Sequence, residues 1–132
     1  MIAENKIKHS RAVAELMYSL ASEEKKEQMY ILGLLHDVGY MFGHNNHNKN
    51  GGNLLKESGY QYWQEVFYHG DCQPPYSSYE LDLRNYADMP IGPDGTHIGF
   101  AKRLEDIEIR YGTDSKEYQN ASTNIKRLKN MF

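Results

Sequence analysis

His9, the adjacent pair His36–Asp37, His69 and Asp88 stand where helical patterning calls for apolar residues or simple helix stops. Each alone has an ordinary reading. A lone histidine on an apolar stripe is usually a core residue with one satisfied hydrogen bond, and Asp88 could be a plain helix-terminal acid. Buried charge is costly unless it is paired or held by a metal, however, and here imidazoles and carboxylates recur near helix ends. Neutral imidazole nitrogens with carboxylate oxygens form the ligand set of Zn, Mn, Fe, Co or Ni. An adjacent His–Asp pair suits such a site: the imidazole can hold one ion while the two-oxygen carboxylate bridges to a second.

The elements that must position these residues read as helices. Val13, Leu16, Met17 and Leu20 fall at i, i+3, i+4, i+7, with His9 one turn earlier on the same stripe. Ser22 is the expected N-cap of a second helix, with Glu23 and Glu24 favoured by its dipole. That helix is expected to bury Ile31, Leu34, Leu35 and Val38 and to end at Gly39. A third covers about residues 48–58. Trp63, Val66 and Phe67 stripe a fourth, with His69 near its end, before CQPPY breaks the chain. Ser77 and Glu80 form a capping box for a fifth helix ending at Asp88, and PIGPDGT reads as a turn-rich loop. Phe100, Leu104, Ile107 and Tyr111 stripe a sixth helix, ended by Gly112. Tyr118, Ala121, Ile125 and Leu128 stripe a seventh. No stretch alternates with period two. The expected fold is all-α, a single bundle-like domain of about seven helices over residues 1–132.

Composition removes several function classes. The 132 residues suit one core, with 39% hydrophobic and 25% charged. The longest apolar runs are too short to span a membrane, and MIAENKIKHSRA carries charge where a signal peptide needs its apolar segment. A cytoplasmic location is the expectation, with no membrane partner. Cys72 is the sole cysteine, which excludes an internal disulfide and a thiolate cluster. A net charge of -3 with dispersed basic residues argues against nucleic acid as a partner.

His9, His36–Asp37 and Asp88, on separate helices in that order, resemble the H…HD…D signature of the HD-domain superfamily, whose members are all-helical metal enzymes, mostly phosphohydrolases. The resemblance runs from KHSRAVAELMYSLA through LLHDVGY to NYADM and takes in GFAKRLEDIEIRYG. It implies that His9, His36, Asp37 and Asp88 hold one divalent ion and that His36 and Asp37 form the catalytic pair. HNKNGGNLLKESGY and VFYHG resemble the segments that supply two further histidines in two-metal members, which makes His47 and His69 the ligands of a second ion. His44 reads instead as a solvated loop residue and His97 as a surface residue near a helix start. Two departures stand out. Tyr40 replaces the lysine that many of these phosphohydrolases carry after HDVG, and His69 is followed by Gly70 where paired histidines are common.

The implied activity is metal-dependent hydrolysis of a phosphomonoester or phosphodiester in a nucleotide or similar small molecule. Asp37 would bridge two ions about 3.5–4 Å apart, which lower the pKa of a shared water and stabilise in-line displacement at phosphorus. Arg11, Tyr40, Lys49 and Arg103 are the candidates for contacting substrate. The same six ligands could instead hold two irons for oxidation of a C–H bond by dioxygen. A non-catalytic, metal-stabilised domain that binds a nucleotide or a partner protein is the third reading. His and Asp ligands do not select one metal among the first-row divalent ions.

Overall fold

The computed structural model describes residues 2–43, 45–69 and 75–132. Among these the chain is all-α, and its only extended pairing is an isolated antiparallel bridge between Ile91 and His97. Seven helices follow in order: α1 Glu4–Leu20, α2 Lys26–Leu35, α3 His47–Glu57, α4 Trp63–Phe67, α5 Tyr79–Asp88, α6 Phe100–Tyr111 and α7 Lys116–Leu128. A 3-10 turn, Val38–Phe42, lies between α2 and α3. His44 and Cys72 lie outside the described residues, as does most of the CQPPY segment.

The core joins Val13 and Met17 of α1, Met29 and Leu32 of α2, Leu55 of α3, Val66 of α4 and Leu83 and Ala87 of α5. Helices α1 and α2 approach closely because Gly33 has no side chain: a Cβ there would meet the Ala14 Cα at 2.5 Å. That contact sets His9 and His36 on facing surfaces. Helix α6, by contrast, contains no buried residue, although its inward stripe is apolar.

Four local expectations are corrected. Helix α2 is capped at Lys25 rather than Ser22, which closes a preceding turn by accepting the Lys25 N–H through its backbone carbonyl at 2.9 Å. Its buried face is Met29, Leu32, Gly33 and His36, whereas Ile31 and Leu34 are exposed. The spacing i, i+3, i+4, i+7 holds, but it runs through a glycine and a histidine. Helix α2 also ends at Leu35, before the His–Asp pair, and Gly39 sits inside the 3-10 turn that follows. For α5 the N-cap is Ser78, whose hydroxyl accepts the Leu81 N–H at 2.9 Å. Glu80 pairs with Lys25 instead, at 2.6 Å.

Candidate metal centre

Five helices deliver the six side chains. His9 lies on the buried face of α1, one turn before Val13. His36 is the first residue past α2 and Asp37 the next, His47 opens α3, His69 follows α4 and Asp88 closes α5. Neighbouring residues within a helix point about 100° apart, so a continuous helix would separate the His–Asp pair. Asp37 leaves the helix at φ −104° and ψ 17°, and its carboxylate comes to 3.1 Å from His36 Nε2.

The contacts form two halves that share Asp37. In one, His9 Nε2 lies 2.7 Å from Asp88 Oδ1, and His36 Nε2 lies 3.7 Å from the same oxygen. In the other, His47 Nε2 and His69 Nε2 are 3.1 Å apart and lie 3.5 Å and 3.4 Å from Asp37 Oδ1. Metal bonds of about 2.0–2.2 Å place ligand atoms roughly 3.0–3.5 Å from one another in a tetrahedral or octahedral shell. The trios His9–His36–Asp37 and Asp37–His47–His69 each converge within ion-holding range.

Backbone carbonyls fix how three of the imidazoles face. His9 Nδ1 donates to Gly92 O at 2.9 Å, His36 Nδ1 to Gly33 O at 2.6 Å and His69 Nδ1 to Val66 O at 2.6 Å. A carbonyl only accepts, so each Nδ1 carries the hydrogen and each Nε2 turns inward, the arrangement that orients metal-ligating histidines. His36 Nε2 is fully buried and has no hydrogen-bond partner among the described residues, with a carboxylate oxygen of Asp37 at 3.1 Å and one of Asp88 at 3.7 Å. A buried nitrogen left without a hydrogen-bond partner among imidazoles and carboxylates fits a divalent ion.

Electrostatics agree with that use. Burial would raise the carboxyl of Asp37, but His36 and His69 hold it well below the usual range. Burial would likewise raise Asp88, but the Arg84 guanidinium, with His36 and His9, holds it well below. Burial and the Arg84 charge lower His69 to about 4, and burial lowers His47, which keeps both neutral. Burial opposes protonation of His36 too, but the Asp37 charge raises it to about 9. An ion must displace that proton. Apparent metal affinity is therefore expected to rise about tenfold per pH unit up to about pH 9 and then level off. Competition against a colorimetric chelator measures this, and an affinity flat from about pH 6 to 8 would contradict it.

The cluster forms one end of a cavity of about 610 Å³ whose other walls include α6 and α7. Of the four residues expected to contact substrate, Tyr40, Lys49 and Arg103 line it. Arg11 is exposed and does not: two residues past His9, it is turned about 200° round the helix. His97 is exposed, as expected. Tyr40 stacks on His47 with ring centroids 4.1 Å apart and planes at 11°. Burial, with the charges of Asp37 and Asp88, pushes its hydroxyl up to about 12, so it remains a donor.

Two residues missed in the sequence complete the surroundings. Arg84 is buried one turn before Asp88, with Nη1 3.5 Å from its carboxylate. The i, i+4 spacing to Asp88 was the available signal. Lys6, one turn before His9, lines the cavity with Nζ 4.1 Å from the Tyr40 ring centroid.

An all-helical chain that gathers imidazoles and carboxylates from five helices into one buried cluster has the construction of a metal-binding protein. The family model for the HD domain matches residues 7–76, more than half of the chain, and the chain belongs to that family. The match spans His9, His36, Asp37, His47 and His69 and stops before Asp88. Neither a curated protein nor a solved structure matches the chain. Among the described residues no helix is long and apolar enough to cross a membrane.

Proposed function

We propose that the chain is a metal-dependent phosphohydrolase acting on a phosphomonoester or phosphodiester of a small molecule, a nucleotide or a compound like one. One observation carries this reading beyond the family: the His/Asp cluster opens into a cavity lined by Lys6, Lys49, Arg103, Arg110 and Lys116. None of these five makes an ion pair among the described residues. Cations left unpaired beside a metal cluster suit a phosphorylated substrate.

In this reading His9, His36, Asp37 and Asp88 would hold one ion, and Asp37, His47 and His69 would hold a second. Two divalent ions would supply an acidified water and neutralise the charge that develops at phosphorus. The chain's own part is orientation. The Gly92, Gly33 and Val66 carbonyls hold the imidazoles, Arg84 keeps Asp88 ionised, and Lys6 and Tyr40 meet the phosphate with a charge and a hydroxyl.

The test is a screen of protein loaded with Mn, Co or Fe(II), under anaerobic conditions, against phosphomonoesters and nucleotides. Phosphate release that disappears in His36→Ala is expected. No release with any metal, together with dioxygen uptake by the reduced iron form, would transfer the site to C–H oxidation.

A further inference from the structure

The cavity has a second wall that the metal cluster does not explain. On α6, Arg103, Ile107, Arg110 and Tyr111 stand at i, i+4, i+7, i+8, and all four line the cavity. Helix α6 packs beside α7 and contains no buried residue, and this stripe faces the cavity. On α7, Lys116 opens the lining and Asn124 lies further along it. Asn124 is fully buried, yet neither atom of its side-chain amide has a hydrogen-bond partner among the described residues. Buried amides are seldom left so. The wall therefore combines three cations with a donor and an acceptor that the protein does not satisfy.

Charge indicates what this wall takes. A single scissile phosphate brings about two negative charges. Lys6 and Lys49 stand with the metal-ligand residues, and Arg103, Arg110 and Lys116 on α6 and α7 remain in surplus. Among the described residues, Glu117 is the only acid lining the cavity besides Asp37 and Asp88. A concave surface of one sign concentrates an oppositely charged ligand. We propose that Arg103, Arg110 and Lys116 form a second anion subsite, so that the substrate is a small polyanion with a further phosphate or carboxylate beyond the scissile group. This rests on the hydrolase reading for the role of the first phosphate, but the subsite binds without metal. The further charge could belong to a phosphoanhydride chain or to a separate phosphate on the same molecule.

The experiment measures binding to metal-free, full-length protein by calorimetry at fixed ionic strength. The probes are orthophosphate, inorganic triphosphate and a hexose 1,6-bisphosphate. At least one of the two larger anions should bind ten times or more tighter than orthophosphate, and which one does so distinguishes the two sources of charge. Arg103→Gln/Arg110→Gln should remove that advantage while its circular dichroism and melting stay those of the parent. Lys126→Gln/Lys129→Gln removes the same net charge from exposed positions that do not line the cavity, and should leave binding unchanged. Equal losses in both double variants would reduce the effect to overall charge, and no loss in either would remove the subsite. Both outcomes overturn the proposal. The hydrolase reading fails separately: if the loaded protein releases no phosphate from any ester while the calorimetric pattern holds, the subsite stands and the chemistry does not.

Discussion

Asp37→Ala is expected to strip the chain of its second ion, weaken retention of the first and abolish phosphate release. The reason is geometric. Asp37 turns Oδ2 toward His36 Nε2 at 3.1 Å and Oδ1 toward His69 and His47 at 3.4 Å and 3.5 Å. It is the one side chain common to both converging trios. Without it, His47 and His69 are two neutral imidazoles with no anion, while His9, His36 and Asp88 still form a three-ligand set. Metal ions contribute several kcal/mol of transition-state stabilisation, which at about 1.4 kcal/mol per decade puts the loss of turnover at about 10³-fold or more. Elemental analysis of protein purified without added metal, beside a phosphate-release assay, reads both effects. Asp37→Asn refines the result, since it keeps the size and loses the charge. A variant that holds two ions and turns over like the parent would end the bridging role.

Much of the fold was legible in the sequence, and its errors have physical causes. Apolar periodicity, with boundary signals for the third helix and a capping box for the fifth, placed the seven helices found among the described residues. It misjudged the buried face of α2, where Ile31, Leu34, Leu35 and Val38 satisfy the template as well as the real stripe does. The real stripe includes Gly33, which is there for closeness to Ala14, and His36, whose Nε2 faces the Asp37 carboxylate. Counting apolar residues favours the wrong set. The caps were misplaced because Ser22 offers a hydroxyl before two acids where the true cap, Lys25, makes no side-chain bond, and because Ser77 stands next to Ser78 with the same hydroxyl.

For the site, the residue types suggested the chemistry, and the family resemblance suggested the pairing of six ligands across five helices. What stayed hidden depends on how distant segments face one another. Arg84 has the i, i+4 spacing that offers contact with Asp88, but only its burial distinguishes it from an ordinary helical arginine. Lys6 reads as a solvated terminal charge until Tyr40 is seen beneath it. Arg110 and Lys116 become cavity residues only because α6 and α7 flank the opening above the cluster. The carbonyls of Gly33, Val66 and Gly92 carry no sequence signal, since every residue has one.

Gly39→Ala should damage the protein more than any conservative exchange on its surface, and it should do so through the second half of the site. Gly39 is buried in the 3-10 turn after the His–Asp pair. A Cβ added there would lie 1.7 Å from the His47 carbonyl oxygen and 2.7 Å from the Gly51 nitrogen. Both are backbone atoms of α3, so no flexible side chain can yield. Either the turn carrying Asp37's neighbours shifts or the first turn of α3 is driven away, and His47 moves with it. Overpacking of this kind costs about 1–3 kcal/mol and occasionally more. For a chain of this length that corresponds to a fall in melting temperature of about 10 °C. Metal content should separate the two halves, with the ion at His47 and His69 lost before the one at His9, His36 and Asp88. Gly43→Ala is the control: at φ 105° and ψ −178° it carries backbone strain of about 1–3 kcal/mol, but nothing lies within 4 Å of an added Cβ, so it does not displace α3 by contact. If Gly39→Ala melts with the parent and keeps both ions, the close contact between the turn and α3 does not position His47.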